Sequence, residues 1–212
     1  MRSLPQTDIY GITCEALSRG RDNLTVVREL LAAGVKIIQY REKAKTIKEK
    51  YAECLAISKM CREAGALFVV NDDEDLALLT GAGAVHVGQD DLPADAVRKL
   101  VGPEVIVGVS AGSMEEARDA VARGADYLGV GPIYRTATKE DAGEAVGLAL
   151  LQTMSRTFTL PLVAIGGITP SNIKEVMRLG AACAAMISAL VGAEDIAAAV
   201  RAARRSLHEG GR

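Results

Sequence analysis

Eight short runs of β-forming residues recur along the chain, with amphipathic stretches between them from one end to the other. The runs are Ile9–Thr13, Lys36–Tyr40, Leu67–Asn71, Ala84–Val87, Val105–Ser110, Tyr127–Val130, Leu162–Ile165 and Ala184–Ile187. They are apolar nearly throughout rather than alternating, which suits parallel strands buried on both faces. In the intervening stretches apolar residues return at helical spacing. Tyr51, Cys54, Leu55, Ser58 and Cys61 share one expected helix face, Met114, Ala117 and Val121 a second, and Ile173, Val176, Met177 and Gly180 a third. With no linker or low-complexity break, residues 1–212 read as a single α/β domain. The pattern predicts a (β/α)8 TIM barrel, with an open doubly wound sheet as the competing layout. Closure is preferred because polar residues gather just after the strands' C-terminal ends, the face where a barrel collects its functional loops.

Local signals agree. Thr46 with Glu49 and Ser113 with Glu116 have capping-box spacing, and Thr169-Pro170 offers an N-cap followed by proline. Glycines at Gly34, Gly65, Gly124 and Gly180 stand where helices stop and the chain turns into the next strand. Residues 208–212 are expected to fray.

Composition narrows the function. A chain of 212 residues, 49% apolar, can bury one good core but is short for such a barrel. A net charge of −2 argues against a broad nucleic-acid surface, and the absence of Trp argues against base-stacking platforms. Phosphates must then be held by locally placed cations and backbone N–H groups. Cys14, Cys54, Cys61 and Cys183 show no C-x-x-C spacing and read as free thiols of a reducing compartment. No apolar stretch approaches the roughly 18 residues of a membrane span, so a cytoplasmic protein without membrane contact is expected. The pattern does not fix the oligomeric state; a homodimer is among the assemblies it allows.

The chemistry gathers at the strand ends. In order these carry Gln39, Arg41 and Lys43; Asn71 and Asp72; Gln89, Asp90 and Asp91; Ser110; the segment 131–143; Gly166 and Gly167; and Ile187 with Ser188. Singly each has a plain explanation. Asp72, Asp73 and Asp75 suit an acidic helix N-terminus, and Asp91 before Leu92-Pro93 suits an N-cap. Arg41 and Lys43 suit a solvated face, and His86 suits a hydrogen-bonded interior group. A barrel brings all of them to one face, where carboxylates that share a divalent metal, beside an Arg and a Lys, suit a metal-bound pyrophosphate. The Gly166-Gly167-Ile168-Thr169 turn before a helix, completed by Ser188, suits a phosphate. The long segment opening Gly131-Pro132-Ile133-Tyr134 and reaching Lys139 could fold over a ligand.

These motifs together resemble the thiamine-phosphate synthase family: Gln39-Tyr40-Arg41-Glu42-Lys43, Asn71-Asp72-Asp73, His86-Val87-Gly88-Gln89-Asp90-Asp91, Gly108-Val109-Ser110, Gly131-Pro132-Ile133-Tyr134 with Thr136 and Thr138-Lys139, Gly166-Gly167-Ile168, and Ile187-Ser188-Ala189. The resemblance runs in order over nearly the whole chain. It implies that a pyrimidine methyl diphosphate is joined to a thiazole phosphate, or its carboxylated form, with release of pyrophosphate. By the same resemblance Asp72 and Asp91 would hold Mg²⁺. Gln39, Tyr40, Arg41, Glu42, Lys43, Asn71, Ser110 and Lys139 would contact the pyrimidine diphosphate. Thr136, Ala137, Thr138, Gly167, Ile187 and Ser188 would hold the thiazole phosphate. Arg41, Lys43, Ser110 and Lys139 would carry the catalytic roles, the cations meeting the leaving charge. Ser110 is expected to position ligand, because no His or Lys base stands beside it in sequence.

Two departures from the family pattern are Gly112, where relatives often carry histidine, and Cys183-Ala184-Ala185 in place of acidic and glycine residues. Rival readings are a thiazole phosphate tautomerase, a sugar-phosphate epimerase and a non-catalytic thiamine-phosphate sensor. The first has no use for Asp72, Asp91, Arg41 and Lys43 together. The second is disfavoured because His86 and His208 are the only histidines.

Overall fold

Every one of the eight apolar runs becomes a strand in the computed structural model, which describes residues 4–136, 138 and 144–208. The strands are β1 (Ile9–Ile12), β2 (Ile37–Tyr40), β3 (Leu67–Asn71), β4 (Ala84–Val87), β5 (Ile106–Ala111), β6 (Tyr127–Val130), β7 (Leu162–Ile165) and β8 (Cys183–Met186). All are parallel, each pairs with its successor, and β8 pairs with β1, so the sheet is a closed barrel and not an open layer.

Outside it lie α1 (Asn23–Ala32), α2 (Ile47–Glu63), α3 (Glu74–Thr80), α4 (Ala94–Val101), α5 (Met114–Ala122), α6 (Gly147–Thr157), α7 (Ile173–Arg178), α8 (Ser188–Val191) and α9 (Ile196–His208). The alternation is not strictly one helix per strand. A single 3-10 turn, Glu15–Leu17, precedes α1, and both α8 and α9 follow β8. No helix among the described residues is long and apolar enough to cross a membrane. Helix α9 continues through His208, and the rest of the expected fraying tail lies outside the described residues.

Two apolar clusters divide the interior. Tyr10, Ile12, Ile37, Val69, Ala84, Ile106, Tyr127, Val163, Cys183 and Ala185 fill the barrel. The alternate strand positions, such as Ile9, Ile38, Val70, Val85 and Leu128, pack against the helices. A strand's two-residue period assigns its side chains to these two spaces, and both are dry enough to require apolar residues.

Helix α2 buries Cys54, Ser58 and Cys61 of its expected face but not Tyr51 and Leu55, which are 39% and 43% exposed. Ile57 is buried as well. The difference accompanies a polar network under the helix: Glu53 accepts from Tyr40 Oη (2.7 Å) and Asn23 Nδ2 (3.0 Å), and Lys45 binds both Glu15 and Glu53. In α5 the expected face holds Ala117 buried with Met114 and Val121 packed beside it; in α7 Ile173 and Val176 are buried, but Gly180 is exposed at the turn.

The full capping box forms at Thr46 and Glu49. At Ser113 only half forms: the hydroxyl accepts from Glu116 N–H (3.1 Å), while the Glu116 carboxylate accepts from Gly112 N–H (2.6 Å), one residue too early. Thr169 does not cap α7 with its side chain. A turn intervenes, in which Asn172 Oδ1 accepts from Thr169 N–H (2.8 Å) and the Thr169 carbonyl accepts from Ile173 N–H (3.0 Å). Gly34, Gly65, Gly124 and Gly180 all have positive φ, as the helix-ending role demands.

The barrel's closing seam carries a clasp. Arg204 on α9 donates to both oxygens of Asp8 (2.8 and 3.2 Å) and to the carbonyls of Ala33 (2.8 Å) and Gly34 (3.0 Å). One guanidinium thus ties the last helix to the entry of β1 and the end of α1, using the fork geometry that lysine lacks.

Candidate active site

At the C-terminal ends of the strands a cavity of about 160 Å³ opens. Its floor is made by inward-facing strand residues: Tyr10 and Ile12 of β1, Gln39 of β2, Asn71 of β3, His86 of β4, Ser110 of β5, Tyr127 and Gly129 of β6, Ile165 of β7 and Ala185 of β8. Arg41 lines it beyond β2, where Thr13 Oγ1 accepts from Arg41 N–H (2.9 Å) and fixes the backbone.

The acidic rim sits beside this cavity. Asp72 follows β3 with φ +64°, a left-handed conformation that Asp tolerates better than most residues. Its N–H donates to the His86 carbonyl (2.9 Å), and Lys43 Nζ donates to its Oδ2 (2.6 Å). Asp91 accepts from Gly88 N–H (2.7 Å), which folds its carboxylate back over the end of β4 instead of capping α4, whose N-cap is Pro93. Partial desolvation, and then the neighbouring Asp72 carboxylate, push the Asp91 carboxyl above its ordinary range. Asp73 is turned away, paired with Lys50 of α2 at 2.8 Å, and Asp75 accepts from Leu76 N–H. Asp90 is exposed.

The opposite wall is built from Thr136, Thr138, Gly166, Gly167, Ile168, Ile187 and Ser188. Thr136 Oγ1 accepts from Thr138 N–H (3.2 Å). The segment after β6 lies on the glycine turn: Ile133 N–H donates to the Ile165 carbonyl (2.8 Å) and Tyr134 N–H to the Gly166 carbonyl (3.0 Å). A Cβ at Gly167 would stand 2.7 Å from Tyr134 Cβ and 2.9 Å from the Arg135 carbonyl. These glycines are therefore demanded by the close approach of the loop as well as by any anion the turn receives.

The structure gathers most of the residues singled out in the sequence. Gln39, Arg41, Asn71, Ser110, Thr136, Thr138, Gly167, Ile187 and Ser188 line one cavity. Lys43, Asp72 and Asp91 do not line it but stand together at the strand ends beyond Asn71, Lys43 paired with Asp72 and Asp72 beside Asp91. Tyr40 and Glu42 are not brought to it. Tyr40 is buried beneath α2 on the outer side of β2, and Glu42 Oε1 accepts from Glu15 N–H (2.8 Å). The motif assigns both to the pyrimidine diphosphate, but neighbouring residues of a strand point to opposite faces, and only Gln39 and Arg41 have the inward parity. Ala137 and Lys139 lie outside the described residues. Of the two departures, Gly112 leaves room for a side chain, its nearest neighbour to a built Cβ being the Gly131 carbonyl at 3.5 Å. Cys183 fills the barrel interior, and Ala185 lines the cavity.

Two polar cavity residues within strands, Tyr10 and Tyr127, are not singled out in the sequence, while His86 is the hydrogen-bonded interior group expected of it. His86 Nε2 is 2.9 Å from Ser110 Oγ. A histidine does therefore stand beside Ser110, in space though not in sequence. The signal for the two tyrosines is parity, for like His86 they occupy inward positions of otherwise apolar strands.

A closed parallel barrel with its polar groups converging on the C-terminal mouth defines the class, a (β/α)8-barrel enzyme. Residues 9–190 match the family model for thiamine monophosphate synthase, and the chain belongs to that family. It is 53% identical over 204 residues to a thiamine-phosphate synthase from Pelotomaculum thermopropionicum, covering 96% of this chain and 94% of that one. A thiamine-phosphate synthase from Moorella thermoacetica is 47% identical, covering 95% and 96%. The solved thiamine phosphate pyrophosphorylase from Pyrococcus furiosus superposes with a TM-score of 0.87 at 37% identity, covering 95% of this chain and 96% of that one. The chain is a transferase of this pyrophosphorylase type.

Proposed function

We propose that the chain joins the diphosphate ester of 4-amino-5-hydroxymethyl-2-methylpyrimidine to a thiazole phosphate, giving thiamine phosphate and pyrophosphate, with Mg²⁺ held by Asp72 and Asp91. The observation that carries this reading is the cluster of Lys43, Asp72 and Asp91 at the strand ends, where Asp72 directly follows Asn71, which with Arg41 and Ser110 lines the cavity.

The donor set suits the metal. No group of three or more acidic, His or Cys ligands occurs among the described residues. Mg²⁺ does not require one, because it is commonly held by one or two carboxylates together with substrate phosphates and water. The like-charge pressure of Asp72 on Asp91 is what a bound cation would relieve. When bound, Mg²⁺ would neutralise charge on the diphosphate.

The chain's own residues would do the rest. Arg41 and Lys43 meet the negative charge that grows on the leaving diphosphate, preorganised help of the kind that dominates such steps. Lys43 is already positioned by Asp72. Ser110 and Asn71 fix the pyrimidine side of the ligand from the floor. Thr136, Thr138, Gly167 and Ser188 anchor the thiazole phosphate across the cavity, which aligns the ring nitrogen with the methylene carbon and removes much of the orientational cost. The electron-rich aminopyrimidine bears the developing cation, so the enzyme supplies no nucleophile. The four free thiols support a reducing, cytoplasmic setting.

The test is direct. Purified protein incubated with both substrates and Mg²⁺ is expected to form thiamine phosphate and pyrophosphate in equal amounts. Binding of each substrate without product would replace this reading with a non-catalytic sensor.

A further inference from the structure

Five polar side chains from five strands form one unbroken line across the cavity floor. Gln39 Nε2 donates to Tyr10 Oη (2.9 Å), Tyr10 Oη lies 3.1 Å from Tyr127 Oη, Tyr127 Oη 2.9 Å from His86 Nδ1, and His86 Nε2 2.9 Å from Ser110 Oγ. The line is built into the barrel. Tyr10 and Tyr127 are essentially without solvent exposure. The Tyr127 ring occupies space that only Gly108 leaves open, since a Cβ there would lie 2.0 Å from the ring; a Cβ on Gly129 would stand 2.9 Å from His86 Cε1. The His86 and Tyr127 rings stack at 5.4 Å.

Such a line has a direction. Each phenol carries one proton, so a phenol that accepts from one neighbour must donate to the other or leave its proton unpaired in the buried interior, at a desolvation cost. Burial pushes the pKa of both Tyr10 and Tyr127 well above the ordinary phenol value, which keeps them neutral and single-protonated. The Gln39 amide nitrogen can only donate. Tyr10 must then donate to Tyr127, Tyr127 to His86 Nδ1, and His86, protonated at Nε2, to Ser110 Oγ.

We infer that Gln39 sets the polarity of this line, fixing His86 as the Nε2–H tautomer and leaving Ser110 with its own hydrogen free to donate to a ligand acceptor. Ser110 and His86 are then not a nucleophile–base pair, because the imidazole nitrogen facing the hydroxyl is already protonated. Tyr10, Tyr127 and His86 are positioning residues, and Ser110 is the group that meets substrate. On the coupling reading above, which this consequence alone rests on, the acceptor is an oxygen of the diphosphate-bearing substrate as it takes up charge.

The polarity can be read without substrate. The chain has two histidines, so long-range ¹H–¹⁵N NMR of labelled protein, with His208→Gln for assignment, reports the His86 ring directly. The expected result is a protonated Nε2 and a bare Nδ1. A protonated Nδ1 in the parent protein overturns the inference whatever the enzyme assay shows, and needs no variant of the line to fold. Gln39→Glu, whose carboxylate accepts from Tyr10, is expected to reverse the line and move the proton to Nδ1; an unchanged tautomer in folded Gln39→Glu removes Gln39 as the determinant. Ser110→Ala is expected to keep the parent tautomer while coupling falls about a hundredfold, the loss of one donor to a developing charge. A tautomer that changes in Ser110→Ala overturns the assignment of direction to Gln39. Failure of the coupling reading itself would show as absent product with the tautomer intact.

Discussion

The rim and the floor of the cavity organise polarity in opposite ways. At the rim, charge is carried by side chains that water still reaches: the Lys43 side chain is 61% exposed, and its partner Asp72 21%. On the floor two buried, neutral phenols, Tyr10 and Tyr127, join half-buried His86 and Ser110 in one line. The difference follows from what each can sustain. A buried ion pair would carry a desolvation cost that its attraction does not reliably offset. A satisfied line of neutral dipoles carries no such cost and holds its direction. Groups that must exchange partners when a diphosphate arrives sit where solvent can stand in for them; groups that must not move sit where it cannot.

The strongest way to break this contrast is at Asp91. Asp91→Asn is expected to lower coupling by about a hundredfold or more, as loss of a charged group that organises the transition state does, with a smaller loss of thiazole phosphate binding. Parent-level turnover in this variant with Mg²⁺ present would remove the metal assignment. Its stability should move the other way. Because desolvation and Asp72 raise the folded-state pKa of Asp91, the folded chain holds that proton more tightly than the unfolded one. The resulting stabilisation is full below the unfolded value of about 4 and is lost as pH rises through the folded value. At pH 7 without Mg²⁺, Asp91→Asn is therefore expected to melt no lower than the parent, and its melting temperature to depend less on pH in the acidic range.

The floor is tested by shape. Gly108→Ala puts a methyl where the Tyr127 ring lies, 2.0–2.4 Å from three of its atoms, and is expected to cost about 1–3 kcal/mol in urea unfolding. Gly112→Ala, whose nearest contact would be 3.5 Å, is the control and should stay within about 0.5 kcal/mol. Equal costs would mean that the tight fit around Tyr127 is not maintained in solution. The smallest expected change belongs to the rim again: Lys43→Ala should alter unfolding free energy by less than about 1 kcal/mol, as exposed ion pairs do, while the Michaelis constant for the diphosphate substrate rises. A large stability loss with unchanged kinetics would reverse the roles given to rim and floor.

Much of this was legible in the sequence because the barrel converts sequence order into spatial order. The eight runs coincide with β1 to β8 to within a residue or two, and their C-terminal ends deliver Arg41, Asn71, Asp72, Asp91 and Ser110 to one mouth. What was not legible depends on partners several strands away. His86 Nδ1 meets Tyr127, and nothing local to Val85-His86-Val87 announces that ring. Tyr40 and Glu42 entered the expected site because a motif runs continuously, whereas a strand alternates. On α2, Cys54, Ser58 and Cys61 are buried as expected, but Tyr51 and Leu55 were misjudged because apolar spacing favours them, while the polar contacts of Glu53 lie beneath the helix. In each case a contact between distant elements overrode a pattern that is correct for an isolated segment.

The Arg204 clasp has a consequence for how the molecule comes into being. A chain is made from its N-terminus, and domains begin to fold during synthesis. Strand β1 can pair with β2 early, but its other edge stays open until β8 exists, and the guanidinium that ties down Asp8 is made only after all eight strands. The growing polypeptide therefore passes through a stage with two unpaired strand edges, a form that invites pairing with other chains. Its first strand waits longest for protection.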